Sequence, residues 1–404
     1  MSSNQTATVG HRLEVFRAFL KLGCTSFGGP VAHLGFFRHE FVERRQWIDD
    51  AGYADLVALC QFLPGPASSQ VAMALGWKRA GHLGAFCAWL GFTLPSAALM
   101  LAFAYGVQSL NGFSHSGWVL GLKIAAVAVV AQALWQMARR LCPDALRATI
   151  AGAGLILLLL VPAARMQLVV IGGGALAGIL LKPRFSPMAK QVSRSTGPSR
   201  RAGLNSLVAF FLLLLVLPLA ARIWPLPWLQ IVDAFYRAGA LVFGGGHVVL
   251  PLLEAATVGR GWLDHNTFLA GYGAAQALPG PLFTFAAYLG ATICIGPQGI
   301  IGGLLALVSI FLPSALLIFG VLPHWDRLRQ IPLAQALLAG TNAAVVGLLG
   351  AAFYSPICTS ALTATVPILI AIGAFAGLMF GKMPPWLVVL ACALAGRLLL
   401  HQSD

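Results

Sequence analysis

The sequence predicts an all-α polytopic membrane protein. It would consist of two inverted-topology repeats, each of about six transmembrane or re-entrant segments, joined by an extra transmembrane helix to give about 13 segments. The 404-residue chain is 58% hydrophobic and only 9% charged, whereas soluble domains carry about 25% charged residues. In addition, the stretch Gln61–Gln70, QFLPGPASSQ, recurs as Gln276–Phe285, QALPGPLFTF.

Apolar runs long enough to cross a bilayer divide each half of the chain into six segments. Those of the first half are Arg12–Phe37, Tyr53–Trp77, His82–Val107, Trp118–Met137, Ala148–Ala164 and Met166–Leu181. Those of the second half are Trp228–Pro251, Phe268–Ala291, Gly299–Leu322, Leu333–Phe353, Ala361–Phe380 and Pro384–Leu400. The predicted domains are the first repeat at 1–182, a basic cytoplasmic linker at 183–203, a connecting transmembrane helix at 204–222 and the second repeat at 223–404.

Further matched motifs indicate that the halves arose by duplication. Phe27-Gly28-Gly29 matches Phe243-Gly244-Gly245 at a spacing of 216 residues, and Pro95-Ser96-Ala97 matches Pro313-Ser314-Ala315 at a spacing of 218. An even number of crossings followed by one extra helix starts the second repeat from the opposite face, so the repeats would be inverted. The first two segments of each repeat either cross as broken helices or re-enter as hairpins, and both alternatives preserve this parity.

The formal net charge of +14 would suggest a nucleic-acid partner in a soluble chain. Here the basic residues lie in short segments between apolar runs, where they set topology, and no nucleic-acid partner is expected. Placing Lys78-Arg79, Arg139-Arg140, Arg147 and Lys382 inside predicts a multi-pass membrane protein. Its N-terminus would be cytoplasmic and its C-terminus external.

The seven cysteines are scattered with no CxxC motif or Cys/His cluster, so neither a metal site nor a cofactor is predicted. The oligomeric state stays open.

Each Pro-Gly-Pro motif predicts a break in a helix within an apolar segment, because proline lacks an N–H and crowds the preceding turn. The N–H groups freed at the start of the next half-helix favour an anion. The alternative is a packing kink, but recurrence in both halves favours binding. The candidate binding residues are Gln61, Pro64, Gly65, Pro66, Ser68, Ser69 and Gln70 with Gln276, Pro279, Gly280, Pro281 and Thr284.

The glycine motifs supply a second set of candidates, Phe27, Gly28, Gly29, Phe243, Gly244 and Gly245. Consecutive glycines let a ligand approach the main chain, or else let helices pack closely.

Basic residues in apolar surroundings complete the predicted anion site. Lys21 and Arg237 occupy the same repeat position, six residues before the glycine motifs. Two such cations would suit a dianion, although either side chain would also reach the membrane interface. Lys123, whose repeat counterpart Thr341 precedes Asn342, is a further candidate together with Asn342.

Four titratable residues are candidates for proton coupling: His33, His247, Glu254 and Asp55. Histidine changes charge in the physiological pH range, while a hydrogen-bonded structural histidine is the alternative reading of His33 and His247.

Several stretches resemble the chromate ion transporter (CHR) family, in its long form with two fused domains. They are FGGPVAHLGFFRHEFVERRQWI, DLVALCQFLPGPASSQVAMALGWKRAG, FGGGHVVLPLLE, GWL and AAQALPGPLFTFAAYLGA. The resemblance implies a protein of the bacterial cytoplasmic (inner) membrane. It also implies export of chromate from the cytoplasm, conferring resistance, driven by the membrane potential or the proton gradient.

The residues alone indicate a secondary transporter for a small divalent oxyanion. A sulfate or other oxyanion permease is therefore an alternative. An intramembrane oxyanion reductase is disfavoured, because the sequence shows no flavin or nicotinamide motif, no haem-ligating histidine pair and no cysteine pair. We expect a transporter that binds an oxyanion and lies in the lipid bilayer, not an enzyme.

We predict that Lys21→Ala or Arg237→Ala abolishes chromate transport while the protein stays in the membrane, because a bound dianion loses one counter-charge in either variant. Uptake of labelled chromate into everted vesicles measures this. Near-normal uptake by both variants would show that Lys21 and Arg237 are not part of the binding site.

Overall fold

The computed structural model describes residues 2–109, 117–161, 164–181, 199–243, 246–328 and 330–399. These ranges are helical and contain no β-strand, which confirms the all-α prediction. Residues 183–198 of the predicted linker lie outside the described residues. Within the described ranges, five stretches are long and apolar enough to cross a membrane, as a polytopic protein requires: Ala67–Val107, Gly117–Leu141, Arg200–Ile223, Gly299–Leu328 and Pro332–Ala361.

The first half and the connecting helix contribute eight of the described α-helices. They are α1 (Ser2–Thr25), α2 (Gly29–Arg38), α3 (Asp50–Phe62), α4 (Ala67–Ser109), α5 (Gly117–Leu141), α6 (Ala145–Leu160), α7 (Ala164–Leu180) and α8 (Arg200–Ile223). A kink with non-helical backbone at Ala80 and Gly81 divides α4 into two parts.

The second half repeats this order of elements. Its described helices are α9 (Pro227–Ala240), α10 (Val249–Thr257), α11 (His265–Ala277), α12 (Phe285–Thr292), α13 (Gly299–Val321), α14 (Trp325–Leu328), α15 (Pro332–Ala352), α16 (Thr359–Ala361), α17 (Thr365–Met379) and α18 (Pro385–Leu399). The short first part of α4 corresponds to α12, and its long second part corresponds to α13.

In the first half the chain folds back twice, forming two helical hairpins. In hairpin 1 (α1 and α2), the ring of Phe19 lies 5.5 Å from that of Phe37, and Arg45 forms an ion pair with Glu14 at 3.2 Å. In hairpin 2 (α3 and the first part of α4), the Arg79 guanidinium lies 5.4 Å from the ring centre of Trp47. The start and end of each hairpin are therefore on the same side.

The second half has the same two hairpins. In hairpin 3 (α9 and α10), Arg260 lies 3.9 Å from the carboxylate of Asp233. In hairpin 4 (α11 and α12), the backbone N–H of Cys294 donates to the carbonyl of Trp262 at 3.0 Å, and the Tyr288 hydroxyl donates to the carbonyl of Thr267 at 2.9 Å. Of the two alternatives for the first segments of each repeat, this geometry matches hairpins and not helices that continue across.

Equivalent aspartates stand just before the first helix of hairpin 2 and of hairpin 4. Asp49 caps α3 by accepting a hydrogen bond from the Gly52 N–H at 3.2 Å, and Asp264 caps α11 by accepting one from the Thr267 N–H at 2.9 Å. An aspartate at this position satisfies an N–H that would otherwise have no partner within the helix.

The long helices of each half pack on the other half. The first-half helix α5 packs against α17 and α18, while the second-half helix α15 packs against α6 and α7. Glycines bring the backbones close. A Cβ at Gly117 would lie 3.0 Å from the carbonyl carbon of Gly396, and one at Gly174 would lie 2.7 Å from the carbonyl oxygen of Gly340. Neither half therefore folds around its own long helix.

We predict that Gly174→Val destabilises the protein by about 1–3 kcal/mol, because the new side chain overpacks the contact between α7 and α15. Gly173→Val is the matched control, since a Cβ there meets no atom within 4 Å and the helix-propensity cost is the same. Thermal unfolding in detergent compares the two variants. Equal midpoints would contradict the reciprocal packing.

Candidate functional site

The tips of the four hairpins contact one another, and their backbone hydrogen bonds cross between the halves. The N–H of Gly65, at the tip of hairpin 2, donates to the carbonyl of Val242 in hairpin 3 at 2.7 Å. The N–H of Gly280, at the tip of hairpin 4, donates to the carbonyl of Ser26 in hairpin 1 at 3.0 Å. Each Pro-Gly-Pro motif is thus bonded to the glycine-rich tip of the other half.

The central glycines of both motifs adopt backbone conformations that favour glycine. Gly65 has φ +116° and Gly280 has φ +94°, in the left-handed region that L side chains rarely adopt. A Cβ at Gly280 would lie 2.8 Å from the Ser96 hydroxyl, and one at Gly65 would collide with the Ser314 hydroxyl. The serines of the matched Pro-Ser-Ala motifs therefore face the Pro-Gly-Pro glycine of the opposite half.

A cavity of about 820 Å³ lies against these tips. Its walls include the C-terminal part of α5, from Val129 to Leu141, and the N-terminal part of α15, from Gln335 to Asn342. The first residues after the two breaks, Ala67 and Leu282, also line it. The tips contribute Gly28, Gly29, Gly65, Gly246, His247 and Gly280.

The cavity carries positive charge and many amide groups. Arg140 and Arg147 line it, and no aspartate or glutamate is among its lining residues in the described part of the chain. Arg140 donates a hydrogen bond to the side-chain oxygen of Gln61, and Arg147 lies 3.3 Å from the carboxylate of Asp144. Further amides come from Gln132, Gln136, Gln276, Gln335 and Asn342. Guanidinium and amide N–H groups are donors that suit a small oxyanion.

Eight of the residues singled out by the sequence line this cavity. They are Gly28, Gly29, Gln61, Gly65, His247, Gln276, Gly280 and Asn342. The Nδ1 atom of His247 lies 2.9 Å from the Tyr272 hydroxyl, which orients the ring.

Other candidates in the tips lie behind the cavity wall. Ser68, Ser69 and Gln70 are buried in the first turn after Pro66, and the Gln70 amide donates to the carbonyl of Pro64 at 2.7 Å. The Thr284 hydroxyl donates to the carbonyl of Pro281 at 2.8 Å, and Pro279 is buried as well.

The phenylalanines of the glycine motifs are half-buried. The ring of Phe27 lies 6.0 Å from that of Trp386, and Phe243 packs against the hydrophobic core. Gly244 and Gly245 lie outside the described residues.

The predicted cations are placed away from the cavity. Lys21 is exposed on α1, and Arg237 forms an ion pair with Asp233 at 2.6 Å. Lys123 is buried and donates to the side-chain oxygen of Asn266 at 2.9 Å. None of the three lines the cavity, so their part in an anion site stays a prediction.

The candidates for proton coupling are separated in the structure. His33 is buried, with Nε2 3.1 Å from the carbonyl of Ser26. Asp55 accepts a hydrogen bond from the Trp325 indole at 3.2 Å. Glu254 lies 2.9 Å from Nδ1 of His265. Of the four, His247 is the one that lines the cavity.

Sequence reasoning assigned Arg140 and Arg147 to topology and did not single out Gln132, Gln136 or Gln335. A signal was present, because Gln132, Gln136 and Arg140 recur every four residues on α5. This spacing places them on one face of the helix.

The Chromate transporter family model matches this chain twice, over residues 13–179 and 229–397. The chain is 30% identical to a chromate transport protein of Pseudomonas aeruginosa, over 95% of this chain and 92% of the relative. It is 28% identical to a probable chromate transport protein of Synechococcus elongatus, over 84% and 83%. It is 26% identical to a chromate transport protein of Cupriavidus metallidurans, over 94% and 90%.

No solved structure matches the chain at a significant level. The two family matches cover both halves, including all four hairpins and the long helices that line the cavity. Together with relatives that extend over most of its length, they show that the chain belongs to the chromate transporter family.

Proposed function

We propose that this protein is a secondary active transporter that exports chromate from the cytoplasm, using a binding site at the crossed hairpin tips. One observation carries the proposal: the cavity that ends at both Pro-Gly-Pro motifs is lined by two arginines and by no acidic residue among those described. The choice of chromate as the substrate rests on the family and on the names of the relatives.

The anion would bind where the helices are broken. Ala67 and Leu282 line the cavity and begin the helical segments after the two breaks. The first N–H groups of such segments have no intrahelical acceptor and favour negative charge. Arg140 and Arg147 would then supply charge-assisted hydrogen bonds to a dianion.

The mouth of the cavity would face the cytoplasm. Arg139, Arg140 and Arg147 lie at the junction of α5 and α6, and Pro385 in the cavity wall follows Lys382. Basic residues near the ends of membrane helices mark the cytoplasmic side. The structure would therefore represent an inward-facing state that is open to substrate from inside the cell.

Inverted repeats would give the means of alternating access. The mouth brings together the C-terminal part of α5 and the N-terminal part of its counterpart α15, so the two helices run in opposite directions. The reciprocal packing of α5 and α15 supports a two-fold relation between the halves. In such folds, rocking of one repeat against the other exposes a central site to each side in turn.

Flux measurements test this proposal directly. Everted vesicles containing the full chain are given labelled chromate, with and without excess sulfate, under imposed pH and potential gradients. Accumulation of unchanged chromate supports export, and strong competition by sulfate would assign the site to oxyanions in general. Conversion to trivalent chromium without accumulation would indicate that the protein reduces chromate and does not transport it.

We predict that Gly65→Ala and Gly280→Ala each lower chromate transport about tenfold. Left-handed backbone costs an alanine about 1–2 kcal/mol, about 1.4 kcal/mol corresponds to a factor of ten, and each new Cβ meets a serine hydroxyl. Vesicle uptake normalised to protein in the membrane measures the effect. Gly81→Ala is the control, because Gly81 has φ +65° and the same backbone cost, but no atom lies near the added Cβ and Gly81 does not line the cavity. Its transport should fall less, since strain there does not displace the hydrogen-bonded tips. Equal losses in all three variants would contradict a special role of the two tips.

We predict that Arg140→Gln raises the KM for chromate about tenfold, since a hydrogen bond to a charged group contributes about 1.5–3 kcal/mol. Arg139→Gln is the matched control: Arg139 stacks on Trp135 at 4.9 Å and does not line the cavity. Initial rates of vesicle uptake over a range of chromate concentrations give the KM of each variant. An unchanged KM in Arg140→Gln would place the anion elsewhere.

A further inference from the structure

A polar cluster at the end of the molecule opposite the cavity mouth joins four elements of the fold. Its centre is the start of α11, where His265 contacts Glu254 of α10 and Ser360 of α16, and where Asn266 accepts a hydrogen bond from Lys123 of α5. Lys123 and Arg140 are 17 residues apart on α5, which separates them by about 26 Å along the helix axis. The cluster therefore lies on the side that the cavity does not reach.

The hydrogen bonds of His265 suit a doubly protonated imidazole. Nδ1 lies 2.9 Å from a carboxylate oxygen of Glu254, and Nε2 lies 3.1 Å from the Ser360 hydroxyl oxygen. That hydroxyl has its own acceptor, the carbonyl of Ile357 at 3.3 Å. When both ring nitrogens carry a proton, His265 donates to Glu254 and to Ser360 while Ser360 still donates to Ile357.

Loss of one proton removes part of this network. With Nδ1 still donating to Glu254, Nε2 becomes an acceptor, and the single Ser360 hydrogen cannot serve both Nε2 and the carbonyl of Ile357. The attraction between opposite charges on His265 and Glu254 is lost as well. Protonation therefore strengthens the contact that ties hairpins 3 and 4 to the segment after α15.

Water can reach the imidazole, since the side chain of His265 is 23% exposed and that of Glu254 is 13% exposed. The charged and titratable groups around His265 come from every neighbouring element. They are Glu254 from α10, Asp264 next to it in the chain, Lys123 from α5 through Asn266, and Tyr288 from α12 near Asp264. The element α16 contributes the neutral Ser360.

We propose that His265 forms a pH-sensitive clamp that closes the exit side when its imidazole is protonated. Resting on the proposed export function, the clamp works in two steps. A proton from the outer phase binds His265, pairs it with Glu254 and favours the closed, inward-facing state. When that proton returns to the outer phase, the pair weakens, the clamp opens and the anion leaves.

The experiment uses everted vesicles of the full chain, in which the outer face of the protein meets the lumen. Membrane potential is held constant while the lumen is stepped from about pH 7.5 to about pH 6, the range in which histidine changes charge. Chromate uptake by the unmodified protein should fall on acidification of the lumen, because protonation of His265 holds the exit side closed. His265→Gln keeps hydrogen-bonding groups but does not titrate, so its uptake should lose this response while potential-driven uptake continues.

His39→Gln is the matched control, because it removes an exposed histidine–glutamate pair of similar geometry, His39 Nδ1 to Glu43 at 2.8 Å, far from the cluster. It should respond to pH like the unmodified protein. A normal response in His265→Gln, with transport intact, overturns the clamp; absence of uptake in the unmodified protein overturns the proposed function instead.

A second variant covers the case in which His265→Gln does not fold. Glu254→Gln removes the carboxylate that pairs with the charged imidazole at 2.9 Å, so acidification of the lumen should lower uptake by less than in the unmodified protein. An unchanged response to acidification overturns the clamp.

Discussion

The two crossed backbone hydrogen bonds at the hairpin tips constrain the rest of the structure. In a Pro-Gly-Pro motif the glycine N–H is the one backbone donor, because proline has none. In both motifs that donor binds a carbonyl in the other half, Gly65 to Val242 and Gly280 to Ser26. Each tip is therefore held by the opposite repeat, and neither Pro-Gly-Pro tip can shift without its partner.

The same dependence extends to the long helices. Because α5 packs against α17 and α18 while α15 packs against α6 and α7, each half completes the helical layer of the other. Close contacts between glycine backbones leave little freedom to separate these pairs. Under the proposed alternating access, relative motion would then occur at the surfaces where the hairpins meet α5 and α15, which are the surfaces that line the cavity.

Sequence patterns predicted the all-α class and the breaks at Pro-Gly-Pro, since both depend on local chemistry. They left open whether the first segments cross or return. Whether a segment crosses or returns depends on contacts between residues distant in sequence, such as Trp47 with Arg79. The hydrophobicity of a segment does not decide it, because a crossing helix and a hairpin are similarly apolar. Arg140 was assigned to topology because a basic residue at the end of an apolar run looks the same whether it faces solvent or a cavity.

Differences between the repeats bear on the direction of transport. At the spacing of 218 that relates the Pro-Ser-Ala motifs, Arg140 and Arg147 correspond to Cys358 and Thr365. Under alternating access these neutral residues would line the outer mouth, in the positions that the two arginines occupy at the inner mouth. A dianion would therefore be attracted on the cytoplasmic side and would leave past a wall without these cations. In a two-fold fold, cations at one mouth alone would therefore give the anion a higher affinity from the cytoplasmic side than from the outer side, which suits loading from inside.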